Sequence, residues 1–371
     1  MKTRKSFNRR DFLKLSLAAG VAAVGGYTLY EYAPWLDYDQ QVEQTWKPLE
    51  KDSTTSSQMR ELVRYATLAP NGHNTQPWSF TIKENAIEIH PDLTRRLPIV
   101  DPNDRELWIS LGCALENLVI AARAFGYESE VTYPDANSEY IGVRLAKSAP
   151  IMNSLFDAIP LRQNTRSEYD GQSIKNSDLD QVATLPLEPG VALRFITNPT
   201  DLETALEYVN QGNLSQYADN AFVDELIYWL RFNQKEVLAS FDGLYTLCSG
   251  NPEVPRWLGQ MFVAGTKPQQ QADTDARKLR SSCGAVVVAS EREDKTAWVR
   301  TGQVYERMAL KMTSLNIKSA FLNQPIEVAN LRLQFQSAMR LGDSLPQLLV
   351  RFGYADPMPR SLRRPVEQVI I

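Results

Sequence analysis

The chain has 371 residues, of which 43% are apolar and 23% charged, with a formal net charge of -4. That composition specifies a globular body of one large or two ordinary domains. The mixed, mildly acidic balance excludes a general nucleic-acid binder, which needs a basic face.

The chain opens with a basic head, Arg9 and Arg10 followed by Asp11, Phe12, Leu13 and Lys14, and then a soft apolar stretch from Leu15 to about Tyr30. The pattern resembles a twin-arginine export signal, with Asn8 where Ser or Thr is commoner; an ordinary basic surface helix is the alternative. The resemblance implies recognition by the twin-arginine export machinery and a periplasmic protein, released by cleavage or held at the inner membrane by this short span. Residues 1–30 are read as the signal and 31–56 as a polar linker.

Apolar spacing then predicts a helix over 57–68, and residues 78–83 (WSFTIK) and 86–90 (AIEIH) flank a KEN turn as a hairpin. A second helix spans 108–127, with Asp104 as its cap and Gly126 as its stop. Later strands are expected at 191–197, 285–289 and 347–354, with helical patterns over 201–218 and 221–240. The stretch 241–280 breaks the periodicity and reads as a lid-like excursion. A mixed α+β layer follows.

Residues 108–127 and 298–317 align at an offset of 190, matching Trp108 with Trp298, Gly112 with Gly302 and Glu116 with Glu306 in the same helical phase. An internal duplication accounts for this; two unrelated core helices are the alternative.

What the chain lacks is equally informative. Cys113, Cys248 and Cys283 are scattered, and His73 and His90 are the only histidines, so neither a disulfide framework nor a metal site is expected. No GxSxG elbow is present. The inventory points away from protein-only catalysis and toward a cofactor.

Three separated pieces carry polar chemistry. APNGHNTQPW, residues 69–78, offers the amides of Asn71, Asn74 and Gln76 around Gly72 and His73, suited to a planar heteroaromatic edge. PLRQNTRSEYDG, residues 160–171, sets Arg162 and Arg166 four apart with Gln163 and Asn164 between, a clamp suited to a phosphate. AFLNQPIE, residues 320–327, presents Leu322, Asn323 and Gln324, and RSLRRP near the end adds Arg363 or Arg364. Each alone reads equally well as a polar loop or solvated surface.

Together these pieces resemble the nitroreductase family of FMN-binding proteins, in particular its Acg-like branch, in which two nitroreductase-type halves are fused. The similarity runs over nearly all of residues 57–371; the NxQPW loop and the RxNTR opening are its most specific parts. The resemblance implies a nitroreductase-like fold, a first half at 57–158 and a second at 159–371, forming a pseudo-dimer that is complete as a monomer. It implies one FMN per chain, since only the first half supplies NxxNxQPW and only the second supplies RQNTR. Asn71 and Asn74 are expected at the ring's polar edge, the backbone of 322–324 near its N5 and O4, and Arg162, Asn164, Arg166 and Arg363 on the phosphate. No acid–base side chain is required, with His73 a candidate proton donor or a packing residue. Asn71 and Gln163 depart from the family's usual Ser and Arg.

Two functions follow from the resemblance: an exported FMN oxidoreductase serving a small electron-poor acceptor, or an FMN-sequestering protein without rapid turnover. An exported enzyme meets no NAD(P)H pool, so a membrane quinol or a redox partner protein is the expected donor.

Overall fold

A computed structural model describes residue 26 and residues 37–48, 55–135 and 139–371. The export-signal reading therefore lies, apart from Gly26, outside the described residues. The stretch read as a linker holds a helix, α1 (Tyr38–Trp46), capped by the Asp37 carboxylate on Gln40 N at 2.8 Å, with Tyr38 and Trp46 buried. Those two aromatics were obscured by their polar neighbours.

In chain order there follow α2 (Thr55–Thr67), β1 (Trp78–Lys83), β2 (Ala86–Pro91), α3 (Arg105–Ala124), β3 (Tyr127–Thr132), β4 (Ile141–Lys147), α4 (Ser154–Ala158) and α5 (Asn176–Ala183). The second part holds β5 (Val191–Ile196), α6 (Pro199–Ala218), α7 (Asn220–Trp229), β6 (Leu230–Arg231), α8 (Gln234–Ser240) and β7 (Leu244–Tyr245). It continues through α9 (Arg256–Ala264), α10 (Pro268–Arg280), β8 (Gly284–Ser290), α11 (Lys295–Ser314), β9 (Lys318–Phe321), α12 (Gln324–Glu327), α13 (Ala329–Ala338) and β10 (Leu345–Gly353). The helical pattern at 221–240 divides at β6, where Leu230 and Arg231 pair with Leu244 and Tyr245.

The architecture is mixed α+β, and its two parts are wound alike. One antiparallel sheet has the order β1-β2-β4-β3 and the other β5-β8-β10-β9. In each, the long helix (α3 or α11) lies between the second and third strands in sequence.

The two long helices cross at the centre of the core. A Cβ on Gly112 would overlap Val299 O and lie 2.8 Å from its carbonyl carbon; a Cβ on Gly302 would overlap Ile109 O and lie 2.8 Å from Cys113 N. Residues 112 and 302, and 109 and 299, are pairs at the same offset of 190. The contact is therefore reciprocal, as in an interface between two copies. Only glycines permit backbone to meet backbone here.

Helix α3 has the length and hydropathy of a membrane span, but it is a buried core helix. Its apolar residues Leu107, Leu111, Leu115 and Leu118 recur at helical spacing and join the main cluster with Val304, Met308 and Met312 of α11. Gly126, at φ +82, ends the helix as its sequence position predicts. Asp104 occupies the N-cap position with φ 57 but makes no capping bond; Asp101 Oδ2 accepts from Leu107 N at 2.9 Å instead. Asp104 is drawn to Arg96, 3.0 Å away.

Candidate active site

The polar loop after α2 is held in a strained conformation. His73, Asn74 and Gln76 all have φ near +50, which costs a non-glycine residue free energy and persists only where the surroundings enforce it. The loop's own amides supply that enforcement. Asn71 Oδ1 accepts from Gln76 N at 2.8 Å, and its Nδ2 donates to Ala69 O at 3.2 Å. Asn74 donates to Gly243 O and Leu362 O, at 3.1 and 3.3 Å, and accepts from Arg363 Nη1 at 2.9 Å. Gln76 donates to Phe241 O and accepts from Arg364 N, both at 2.8 Å. The Asn71 amide thus braces the loop internally, while those of Asn74 and Gln76 tie it to the 241–243 segment and the C-terminal tail. His73 Nδ1 is buried without a partner. Burial, then the nearby Arg166 charge, lowers the His73 pKa to about 4, so the imidazole is neutral at physiological pH.

Beside the loop lies a pocket lined by Asn71, Asn74, Arg162, Gln163, Asn164, Arg166 and Arg363, which brings together the loop and the arginine-bearing segment. The pocket also takes in residues sequence reasoning did not assign: Trp46 from α1, Gly243, Leu244, Tyr245 and Cys248 from the 241–248 stretch, and Arg360 from the tail. Only Arg360 carried a sequence signal, as the first arginine of RSLRRP. The C-terminal pair is resolved by geometry. Arg363 is buried at the pocket, whereas Arg364 donates to Trp78 O at 2.9 Å.

Four guanidinium groups converge here. Arg162 donates to Leu68 O at 3.0 Å and lies 3.2 Å from Glu306, yet neither its Nε nor either Glu306 oxygen makes a hydrogen bond. Arg360 sits over the Trp46 ring at 3.9 Å and donates to Arg162 O at 2.9 Å. Arg363 donates to Thr67 O at 2.9 Å. Among the described residues the Arg166 side chain makes no hydrogen bond or ion pair. Burial, and then repulsion from Arg162, lowers the pKa values of Arg360 and Arg363; burial lowers that of Arg166. The carboxyl facing the cluster, Glu306, is itself raised to about 7 by burial against the pull of Arg162. The pocket is therefore strongly cationic. Cationic side chains withdrawn from water without matching carboxylates are costly unless an anion joins them.

The third piece divides. A Cβ on Gly72 would lie 3.9 Å from Glu106 Oε2, and Asn323 Nδ2 lies 3.5 Å from Glu106 Oε1, so the loop and the 322–324 turn meet at Glu106. Burial, then the Glu327 charge, raises the Glu106 carboxyl to about 8, against the pull of Arg105, whose Nη2 donates to Glu106 Oε1 at 2.8 Å. Leu322 is buried in a separate apolar cluster with Ile196 and Leu206, and Gln324 is directed to Asp275 at 3.1 Å and Asn213 at 3.4 Å. Among the described residues no metal-holding cluster of His, Cys, Asp or Glu occurs.

A second cleft is lined by Pro134, Asp135, Pro189, Gly190, Arg292 and Lys295 among others, with the N-terminal turn of α11 in its wall. Pro189 and Gly190 lead into β5 as Gln76 and Pro77 lead into β1. Among the described residues the cleft's lining includes no Asn or Gln.

No protein-family model matches the chain. The chain is similar to Rv3131 of Mycobacterium tuberculosis, whose name provisionally assigns it to the NAD(P)H nitroreductases, with 27% identity over 334 residues, covering 84% of this chain and 90% of that one. It is similar to Acg of the same organism, named in the same way, with 23% identity over 330 residues, 85% of this chain and 96% of the other. A solved nitroreductase with bound FMN from Bacteroides fragilis covers 57% of this chain and 96% of its own, at 17% identity and a TM-score of 0.34. The sequence similarity across most of both chains supports the nitroreductase family.

Proposed function

We propose that this chain is an exported flavoprotein oxidoreductase of nitroreductase type, in the Acg-like branch, holding one FMN and passing electrons to a small electron-poor acceptor. The observation that carries this reading is the surplus of guanidinium groups around Arg166, which fits a phosphate-bearing cofactor. FMN, when bound, supplies the hydride and electron chemistry. Arg162, Arg166, Arg360 and Arg363 neutralise its phosphate. Asn71, Asn74 and Gln76 act on the ring's surroundings through the loop they hold rigid. His73 stands uncharged with an unfilled ring nitrogen, and Glu106, its carboxyl raised by burial, pairs with Arg105 where loop and turn meet.

One cofactor per chain is supported by the second cleft, whose described lining has neither the amide loop nor the four arginines. A second reading, FMN sequestration without rapid turnover, draws on the 241–248 stretch that walls the pocket. Reduction of the bound flavin followed by prompt reoxidation with a nitroaromatic or quinone favours the enzyme; reduction with no acceptor-driven recovery favours sequestration.

The cofactor assignment is tested at Arg166, whose side chain has no partner to strand among the described residues. Arg166→Gln is expected to weaken FMN about ten- to a hundredfold, the worth of one charge-assisted contact of about 1.5–3 kcal/mol. Riboflavin, lacking the phosphate, should be held as before. Equal losses for both ligands, measured by fluorescence titration, would refute the phosphate assignment.

A further inference from the structure

Helix α9 turns its apolar side outward. Gly259 faces the Phe232 ring closely enough that a Cβ there would lie 2.6 Å from the ring's Cγ. At about 100° per residue, Trp257 and Met261 fall on the side opposite Gly259. They are 53% and 63% exposed, with Phe262 beside them at 62%. Tyr228, 67% exposed, ends α7, the helix that packs against α9. Single exposed apolar residues are ordinary, but four large ones gathered on one short helix and its neighbour mark a contact surface. From Val254 to Gln271 the sequence has no Asp or Glu, while Lys267 is exposed and Arg256 pairs with Glu236 at 3.1 Å. Helix α9 itself therefore carries no carboxylate, while Asp224 stands exposed one turn from Tyr228 on α7.

The position of the N-terminal chain says what lies against it. Helix α1 packs between the 237–248 stretch that leads to α9 and the C-terminal tail, where Trp46 Nε1 donates to Ser361 O at 2.9 Å. Tyr38 packs with Val237, Tyr245 and Cys248, its ring 5.1 Å from that of Tyr245. Tyr245 donates to Glu253 at 2.7 Å, immediately before α9. The sequence that precedes α1 carries Arg9, Arg10 and Lys14 and the apolar stretch from Leu15 to about Tyr30, the composition of a membrane-seeking segment. That segment therefore precedes a helix that packs beside the stretch leading to α9.

We propose that α9 lies on a lipid bilayer, with Trp257 and Met261 entering the headgroup boundary and Phe262 at the flank of that face. Trp is suited to that depth, its ring apolar and its N–H able to meet water or a headgroup. The test uses the full-length protein with phosphatidylglycerol-containing vesicles whose acyl chains are brominated, which quench tryptophans at the lipid boundary. A quenched component of the emission is expected, and Trp257→Phe should remove it. Met261→Glu with Phe262→Glu, both at exposed positions, should lower vesicle affinity about tenfold or more. Quenching that is unchanged in Trp257→Phe would overturn the proposal by assigning all lipid contact elsewhere in the chain. A dimer that forms without lipid in sedimentation velocity, and that the double glutamate variant dissolves, would overturn it by assigning the face to a second copy.

Discussion

Replacing Gly302 by Ala tests whether the crossing of α3 and α11 holds the halves together. The added Cβ would overlap Ile109 O and stand 2.8 Å from Cys113 N, where ordinary contact is about 3.5–4 Å. Both obstacles are backbone, so no rotamer change relieves them and the helices must part. A separation of about 0.5–1 Å forfeits a quarter to a half of each dispersion contact along the seam. Overpacking of this kind costs about 1–3 kcal/mol, more where the neighbours cannot move. The better helix propensity of Ala returns about 1 kcal/mol. With backbone obstacles on both sides the cost falls at the top of that range, so a net loss of about 2 kcal/mol is expected, a sizeable share of the roughly 5–15 kcal/mol typical of folded proteins. Urea unfolding followed by circular dichroism measures it. Gly112→Ala should behave alike, and the double variant should cost much less than the two losses added, because one separation makes room for both methyl groups. A Gly302→Ala protein as stable as the parent, or strict additivity in the double variant, would refute the reasoning.

The Glu306 carboxyl has a folded pKa of about 7, raised above the ordinary 4.5, so its stabilising contribution is full below about pH 4.5 and is lost as pH rises through about 7. Glu306→Gln, a mimic of the protonated acid, should flatten the fall of thermal stability across that window; an unchanged slope would count against the buried-acid assignment. For export, changing Arg9 and Arg10 together to Lys should leave the protein in the cytoplasm, and unchanged fractionation would reject the twin-arginine reading. For the electron donor, anaerobic stopped-flow should show slow or no flavin reduction by NADH or NADPH and faster reduction by a quinol or a redox protein. The relatives' names favour NAD(P)H, and turnover with NADPH on the order of 10 per second would decide for it.

Much of the frame was legible in the sequence because it rests on local periodicity. The leucine spacing of α3, the β1–β2 hairpin and the matched phase of residues 108–127 and 298–317 are carried by neighbouring residues. The repeated sheet order was not legible, because residues 197–283 intervene between β5 and β8 and break the offset that the long helices keep. Strands β3 and β4 were missed. In β3 only Tyr127 is fully buried, and the polar Glu128, Ser129 and Glu130 mask the alternation. At the site, composition identified the loop but not the partners of its amides, since Asn74 meets Gly243 and Leu362 only through the tertiary fold. Trp46, Tyr245 and Cys248 reach the pocket from distant segments, and Glu106 reads in the sequence as an ordinary first-turn acid. Its burial against Asn323 is what alters its chemistry.

The reciprocal seating of Gly112 and Gly302 also bears on how such a chain changes over generations. In a dimer of identical subunits every mutation strikes both sites at once, so neither can be lost without the other. A chain that carries both halves is free of that constraint. Its glycine crossing must stay matched, because each helix is the other's mould, but the two clefts beyond it answer to separate codons. One cleft here keeps the amide loop and gathers four arginines, while the second is lined by Pro189, Gly190, Arg292 and Lys295 among others. On the proposal of one cofactor per chain, the second cleft is a surface that selection can reshape without disturbing the first.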